Sequence, residues 1–373
     1  MIYRDYKDLK LSALGMGCMR LPVIDGDDAK VDEAATADMV QYAIDHGVNY
    51  YDTAWGYHNG TSELVMGRVL SKYPRESFYL ADKFPGYDLS NMDKVEEIFE
   101  EQLKKCQTEY FDFYLFHNVC EMNIDAYLDE SHGIHKYLME QKKNGRIRHL
   151  GFSAHGNYDV MKRFLEKYGK DMEFCQIQLN YLDWTLLDGK GQYDLLTERG
   201  IPVWVMEPMK GGRLVHLNNP AEEILQRAAP GQTIPSWSFR YLLGLPNVQC
   251  VLSGMTSPEE IRQNAAVFEP GNQLTEAEHA ALQEAILAFR DSFGVPCSSC
   301  RYCCPACPAG LDIPLLIQAY NEHTAGGELW KLSDLSQTKG PESCLQCGAC
   351  VRRCPQRIDI PGVMKAFAAL PRS

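Results

Sequence analysis

Eight short apolar runs recur along the first 290 residues, and most are separated by segments of helical length. They read "SALGMGC" (12–18), "VNYYDTA" (48–54), "SFYLADKF" (77–84), "FDFYLFHN" (111–118), "IRHLGFSAH" (147–155), "EFCQIQLNY" (173–181), "IPVWVMEP" (201–208) and "NVQCVLSG" (247–254). They are rich in Val, Ile, Tyr and Phe. Several are continuous rather than alternating, as strands buried on both faces should be. Between them lie helical patterns such as "MDKVEEIFEEQLKKCQ" (92–107), "IHKYLMEQKKNG" (134–145) and "SPEEIRQNAAVFE" (257–269). The last opens on Ser257, Pro258 and two glutamates, a helix-start signal. Strand followed by helix, eight times over about 270 residues, predicts an α/β chain built as a (β/α)8 TIM barrel. An open doubly wound sheet is the rival, but no G-x-G-x-x-G follows the first strand.

A barrel of about 250 residues leaves a smaller unit to account for in a chain of 373. The expected division is a barrel over residues 1–290 and a second domain over 291–373, parted near "DSFGVPC". The net charge of −13 argues against nucleic acid as a partner, since phosphate binding asks for a basic surface. No apolar run approaches the roughly 20 residues that cross a bilayer, so no membrane is expected. The opening "MIYRDYKDLK" lacks the apolar stretch of a secretory signal. Of fourteen cysteines, nine fall between Cys297 and Cys354. Without a signal peptide this favours a metal site over a disulfide framework, and a reducing cytoplasm as the location.

Cys297-x2-Cys300-x2-Cys303-x3-Cys307-Pro and Cys344-x2-Cys347-x2-Cys350-x3-Cys354-Pro both have bacterial ferredoxin spacing. In two-cluster ferredoxins the fourth cysteine of each run ligates the other cluster. One 4Fe–4S centre is therefore expected on Cys297, Cys300, Cys303 and Cys354, and another on Cys344, Cys347, Cys350 and Cys307, with Cys304 spare. A zinc ion held by four cysteines is the alternative, but it needs only those four thiols and has no use for the repeated Cys-Pro. Each run leads into Asp-Ile-Pro and a helical pattern, in 311–335 and again in 357–367. That repeat resembles the mainly α-helical ferredoxin-type domains of larger electron-transfer proteins.

In such barrels chemistry sits at the C-terminal ends of the strands. There the sequence offers Asp52 and, in the following loop, Tyr57. Lys83, His117, Ser153, His155, Gln178 and Asn180 follow on later strands. Singly, each has a plain structural use: a histidine that packs, an aspartate that caps a turn, a lysine in solvent. Together Asp52, Tyr57, Lys83 and His117 form a proton-transfer set. Asp52 would hold Lys83 charged, the ammonium would favour an ionised tyrosine, and His117 would orient a carbonyl oxygen.

"YDTAWGYHNGTSE" (51–63), "LADKF" (80–84), "YLFHN" (114–118), "GFSAH" (151–155) and "EPMKGGRL" (207–214) resemble the aldo/keto reductase family over residues 1 to about 285. The resemblance implies reduction of a small carbonyl, or oxidation of an alcohol, with NAD(H) or NADP(H) extended across the barrel mouth. Asp52, Tyr57, Lys83 and His117 match the family's catalytic tetrad, with Tyr57 the proton donor. Ser153 and Gln178 would bind the nicotinamide amide. Pro208, Lys210, Gly211, Gly212 and Arg213 would take the pyrophosphate, and Ser253, Gly254 and Asn264 the adenosine end. Small residues admit a phosphate and two cations neutralise it. Three positions depart from the pattern. Met206 stands where a tyrosine often covers the nicotinamide, Gly254-Met255 stand where NADPH-specific members carry basic and hydroxyl residues, and Asp82 replaces a small residue before the lysine.

Hydride transfer moves two electrons, whereas a 4Fe–4S cluster passes one, and no flavin fingerprint is present to convert between them. A flavin phosphate can still sit near the seventh and eighth strands of such a barrel, so a flavin is not excluded. The sequence supports an iron–sulfur oxidoreductase whose clusters exchange electrons with a ferredoxin- or flavodoxin-like partner. The alternatives are a conventional reductase with structural clusters and a non-catalytic electron-transfer subunit. Trp55 and Arg20 are candidates for the pocket wall.

Overall fold

The computed structural model describes the chain except residues 187, 292–293, 296, 298–300, 302, 325–334, 336–337, 355–356 and 371–373. The first two strands, β1 (Tyr3–Tyr6) and β2 (Leu9–Ser12), form an antiparallel hairpin that the polar opening residues did not announce. Eight parallel strands then close into a barrel: β3 (Leu14–Gly17), β4 (Tyr50–Asp52), β5 (Tyr79–Phe84), β6 (Phe111–Val119), β7 (Ile147–Ala154), β8 (Cys175–Gln178), β9 (Val203–Met206) and β10 (Val248–Gly254). Strand β10 pairs with β3 through Val251 and Leu14, which completes the cylinder. All eight coincide with the apolar runs, seven lying within them and β6 reaching one residue further, to Val119.

The expected helices form at Val95–Lys105, Ile134–Lys143 and Pro258–Val267. Ser257 caps the last by accepting from the Glu260 backbone N–H. Tyr6 and Leu11 of the hairpin pack with Tyr50, Phe113, Phe174 and Trp204 in one apolar cluster. Tyr6 donates to the Glu173 carbonyl at 3.1 Å. The strands thus run from an aromatic core toward the polar residues of their C-terminal ends.

The chain divides into two compact units, Met1–Gly211 with Pro235–Leu274, and Gly212–Ile234 with Thr275–Ser373. The second unit contains helices Asn219–Ala228 and Glu276–Asp291, joined where Asn218 Nδ2 donates to the Ala288 carbonyl at 3.0 Å. It also contains the cysteine runs and the helices that follow them, Ile313–Thr324 and Ile360–Ala368. The repeated Asp-Ile-Pro has one job in both halves. Asp312 accepts from Leu315 N and Asp359 from Gly362 N at the helix starts, while Ile313 and Ile360 are buried. The helical pattern beyond Thr324 and the Pro355 that trails Cys354 lie outside the described residues. Among the described residues no helix is long and apolar enough to cross a membrane.

Candidate active site

Strand β4 ends on Asp52 and is in register with β5, which carries Lys83 two residues beyond the Asp52↔Ala81 pairing. Lys83 Nζ reaches Asp52 Oδ1 at 2.7 Å, the Thr53 carbonyl at 2.7 Å and the Tyr57 hydroxyl at 3.3 Å. Asp52 and Lys83 are 3% and 1% exposed, so this is an ion pair withdrawn from water. Burial works against the Lys83 ammonium, but the Asp52 carboxylate 2.7 Å away outweighs it and holds it charged. Burial also pushes the Tyr57 phenol up to about 12, against the pull of Lys83. The ionised tyrosine expected from the lysine alone is therefore not the resting form. The site holds a protonated phenol whose conjugate base has a cation waiting beside it.

His117 completes the set. The β6–β7 register shifts between Phe116 and Val119, and Asn118 has φ 60°, so the strand bulges where the histidine leaves it. Tyr127 donates to the His117 carbonyl at 2.7 Å. It passes so close to Gly86 that a Cβ there would lie 2.1 Å from its hydroxyl. The His117 ring stands edge-on to Tyr57, centroids 6.0 Å apart, and to Tyr87 at 5.3 Å. Burial, with Lys83 and His155 adding to it, lowers His117 well below its usual value, so it is a neutral imidazole. Its Nδ1 and the Oδ2 of Asp52 are buried with no hydrogen-bond partner among the described residues. Tyr87 and Tyr127 escaped notice in the sequence, where nothing distinguishes them from the other tyrosines of the chain.

Farther round the mouth, Ser153 Oγ accepts from Asn118 N at 2.8 Å, and Gln178 Nε2 donates to Asp183 Oδ2 at 3.0 Å. That leaves a hydroxyl proton on one and a carbonyl oxygen on the other, a donor and acceptor pair suited to a carboxamide. Half-buried Met206 is in register with Gln178 on the neighbouring strand. Lys210 is already committed. Its ammonium, 9% exposed, lies 2.7 Å from Asp183, which is fully buried and requires a counterion. The backbone from Lys210 to Gly212 runs through three positive φ values, a path that the two glycines permit. Ser253 Oγ accepts from Asn264 Nδ2 at 3.1 Å. At Gly254 a Cβ would fall 2.8 Å from Arg20 Cγ, so Arg20 lies against that glycine.

In the second unit, Cys307, Cys344, Cys347 and Cys350 line one recess with Leu311, Ile313, Ile360 and Met364. Its empty volume is about 330 Å3, open solvent included. Cys303 and Cys350 are buried in the unit's apolar core, with Cys297, Cys304, Cys307, Cys344 and Cys354 packed against it. Among the described residues no three ligating side chains close on a single ion. The four thiols nevertheless line the same recess. Three are from the second run and one from the first, the crossed set expected from the spacing. Cys300, assigned to the other set, lies outside the described residues.

Comparison with known proteins follows the same division. The family model "Aldo/keto reductase family" matches residues 13–287, and "4Fe-4S dicluster domain" matches residues 296–358. The chain is 26% identical over 326 residues to the NADH-specific methylglyoxal reductase of Escherichia coli, covering 74% of this chain and 95% of that protein. It is 27% identical over 312 residues to the L-galactose dehydrogenase of Arabidopsis thaliana, covering 75% and 91%. Among solved structures, the holo form of an aldo-keto reductase from Bacillus halodurans matches with a TM-score of 0.63 and 25% identity, over 76% of this chain and 96% of that one. An enzyme from Klebsiella pneumoniae in complex with NADPH shares the fold, with a TM-score of 0.60. With its closed eight-stranded barrel and the family match over most of its length, the chain is an oxidoreductase of the aldo/keto reductase family that carries a 4Fe–4S dicluster domain at its C-terminal end.

Proposed function

We propose that the barrel interconverts a small carbonyl compound and its alcohol with NADH or NADPH, Tyr57 serving as the acid/base. The observation that carries this is the Tyr57 hydroxyl 3.3 Å from a lysine that is itself locked to a buried aspartate. When bound, the nicotinamide supplies or accepts the hydride at the substrate carbon. Tyr57 gives its phenolic proton to the carbonyl oxygen, and the Lys83 ammonium stabilises the phenolate left behind. Neutral His117, edge-on to Tyr57, offers a ring nitrogen to orient that oxygen. The Ser153 hydroxyl and the Gln178 carbonyl oxygen match the carboxamide of the ring. The relative named an NADH-specific methylglyoxal reductase makes methylglyoxal a suitable first substrate to try.

The tail would bind two 4Fe–4S clusters, on Cys297, Cys300, Cys303 and Cys354 and on Cys344, Cys347, Cys350 and Cys307. These would exchange single electrons with a ferredoxin- or flavodoxin-like partner. A structural role is the second reading, favoured by the way the thiols are also packing groups of the tail's core. The deciding experiment is to purify the protein without oxygen, add NADH or NADPH alone, and follow cluster absorbance and the EPR signal. Cluster reduction by nucleotide supports electron exchange and directs a search for a flavin that splits the pair. Clusters that stay oxidised while methylglyoxal consumes nucleotide support the structural role. If neither occurs, the nicotinamide assignment falls.

A further inference from the structure

Behind the tetrad lies a buried polar group that proton transfer does not use. Glu63, Asp82 and Gln102 are each 0% exposed. Gln102 Nε2 donates to Asp82 Oδ1 at 2.8 Å, to Glu63 Oε1 at 3.0 Å and to the Lys83 carbonyl at 3.0 Å. The Lys83 carbonyl, which can only accept, fixes which way the amide points, and Oε1 accepts from the Tyr114 hydroxyl at 2.5 Å. Asp82 Oδ1 accepts from the Lys83 backbone N–H at 2.8 Å, and Cys106 Sγ lies 3.7 Å from Oδ2. The backbone of Lys83 is thus held on both sides by one carboxyl and one amide. On its outer edge Glu63 Oε2 meets Lys105 Nζ at 3.0 Å, and that ammonium lies 3.6 Å over the ring of Trp55, two residues before Tyr57.

The charges decide what this group is. Two cations, Lys83 and Lys105, face three carboxyls, Asp52, Glu63 and Asp82. Asp52 is matched to Lys83 and Glu63 to Lys105, so an ionised Asp82 would be an unmatched charge in the interior, the most costly state available to it. Asp82 Oδ1 and Glu63 Oε1 both lie within 3.0 Å of the Gln102 amide nitrogen. The two buried carboxyl groups thus sit side by side, where two negative charges repel and a proton on one of them relieves the repulsion. Burial first, and then the Glu63 charge, raise Asp82 well above the ordinary carboxylate range.

We propose that Asp82 is a neutral acid donating its proton to Glu63, and that Asp82, Glu63, Gln102 and Lys105 form an electroneutral clamp that positions Lys83 and the Trp55–Tyr57 loop. These are positioning residues, acting on the reaction through Lys83 and Tyr57. The kinetic part of the inference rests on the proposed role of those two; the protonation state of Asp82 does not.

The test has two arms. Infrared spectra of the full chain at neutral pH should show the carbonyl stretch of a protonated carboxylic acid, absent from Asp82→Asn. A wild-type spectrum without that band, or a band that survives in the variant, overturns the proposal. If Asp82→Asn does not fold, Glu63→Gln serves instead. Loss of the charged acceptor should move the band toward that of a weakly bonded acid, and an unmoved band refutes the shared proton. In the second arm, Gln102→Leu should lower kcat for methylglyoxal about tenfold while KM for nucleotide changes less than about twofold, as misplacement of a reacting group does. An unchanged kcat in the folded variant overturns the positioning role. If the wild type turns over no carbonyl at all, the proposed function fails, while the infrared arm still decides the state of Asp82.

Discussion

Replacing Lys83 by methionine removes the cation beside Tyr57 with little change in side-chain length. At 3.3 Å the ammonium attracts a phenolate by about 5 kcal/mol at an effective dielectric constant of 20. Asp52 works in the opposite sense. Its Oδ1 is 2.7 Å from Nζ and therefore no more than about 6 Å from the phenol oxygen, a repulsion of about 3 kcal/mol or more on the same scale. The pair together favours the phenolate by at most about 2 kcal/mol, about 1.5 pKa units or a thirtyfold effect on proton transfer. This is the loss if Asp52 takes up a proton once its counterion is gone, and an Asp52 that stays ionised makes the loss larger. The loss would add to a phenol that burial already holds at about 12. Single-turnover reduction of methylglyoxal with deuterated nucleotide isolates the hydride step. Lys83→Met should slow that step about thirtyfold at pH 7, with secondary structure intact by circular dichroism. A variant within about threefold of wild type would refute the assignment of Lys83 as the group that stabilises the phenolate.

Tyr57→Phe should abolish carbonyl turnover and leave cluster absorbance unchanged; retained turnover removes Tyr57 from the acid/base role. Cys307→Ser and Cys354→Ser should each lower the iron content by about half, whereas Cys304→Ser should keep it. The double variant Cys307→Ser/Cys344→Ser should still hold about half the iron under crossed ligation and almost none under uncrossed ligation, as iron analysis and EPR distinguish. Burial, helped by Lys7 and Lys142, lowers His149 to about 4. The unfolded chain therefore binds the proton first, and stability falls as pH drops from about 6.5 toward 4. His149→Gln should flatten that fall in melting curves recorded between pH 5 and 7, and an unaltered slope would rule the histidine out as its source.

The eight strands were legible because a strand buried on both faces has no polar positions to blur it. Runs such as "FDFYLFHN" and "IPVWVMEP" say strand with few residues to spare. The hairpin was hidden for the converse reason. Tyr3–Tyr6 and Leu9–Ser12 alternate charged and apolar residues around "KD", and only Tyr6, Leu11 and Ser12 are buried. Partners that fix them, among them Asn49, Gly47 and Glu173, lie 37, 44 and 167 residues away along the chain. The domain division rested on composition, which marks the cysteines but not the two helices, Asn219–Ala228 and Glu276–Asp291, that the fold groups with the tail.

The tetrad could be read because each member ends a recognisable strand or follows one. What could not be read is which charges neutralise which. The sequence showed Asp82 only as a replacement for a small residue before Lys83, and offered Lys210 beside two glycines as a cation for phosphate. Neighbours in a strand point to opposite faces, so Asp82 turns away from its lysine toward Gln102 and Glu63 on other elements. Lys210 finds Asp183, 27 residues earlier in the chain and fully buried. Both pairings are set by the closing of the barrel, which brings side chains of separate strands and loops together at distances that sequence separation does not encode. The same closure gives Lys83 its second, backbone set of contacts, so the position of the ammonium depends on buried groups that never face the substrate. Under the proposed clamp, a change at Gln102, on the outer helix, would act on chemistry at the mouth by moving Lys83 without altering its charge.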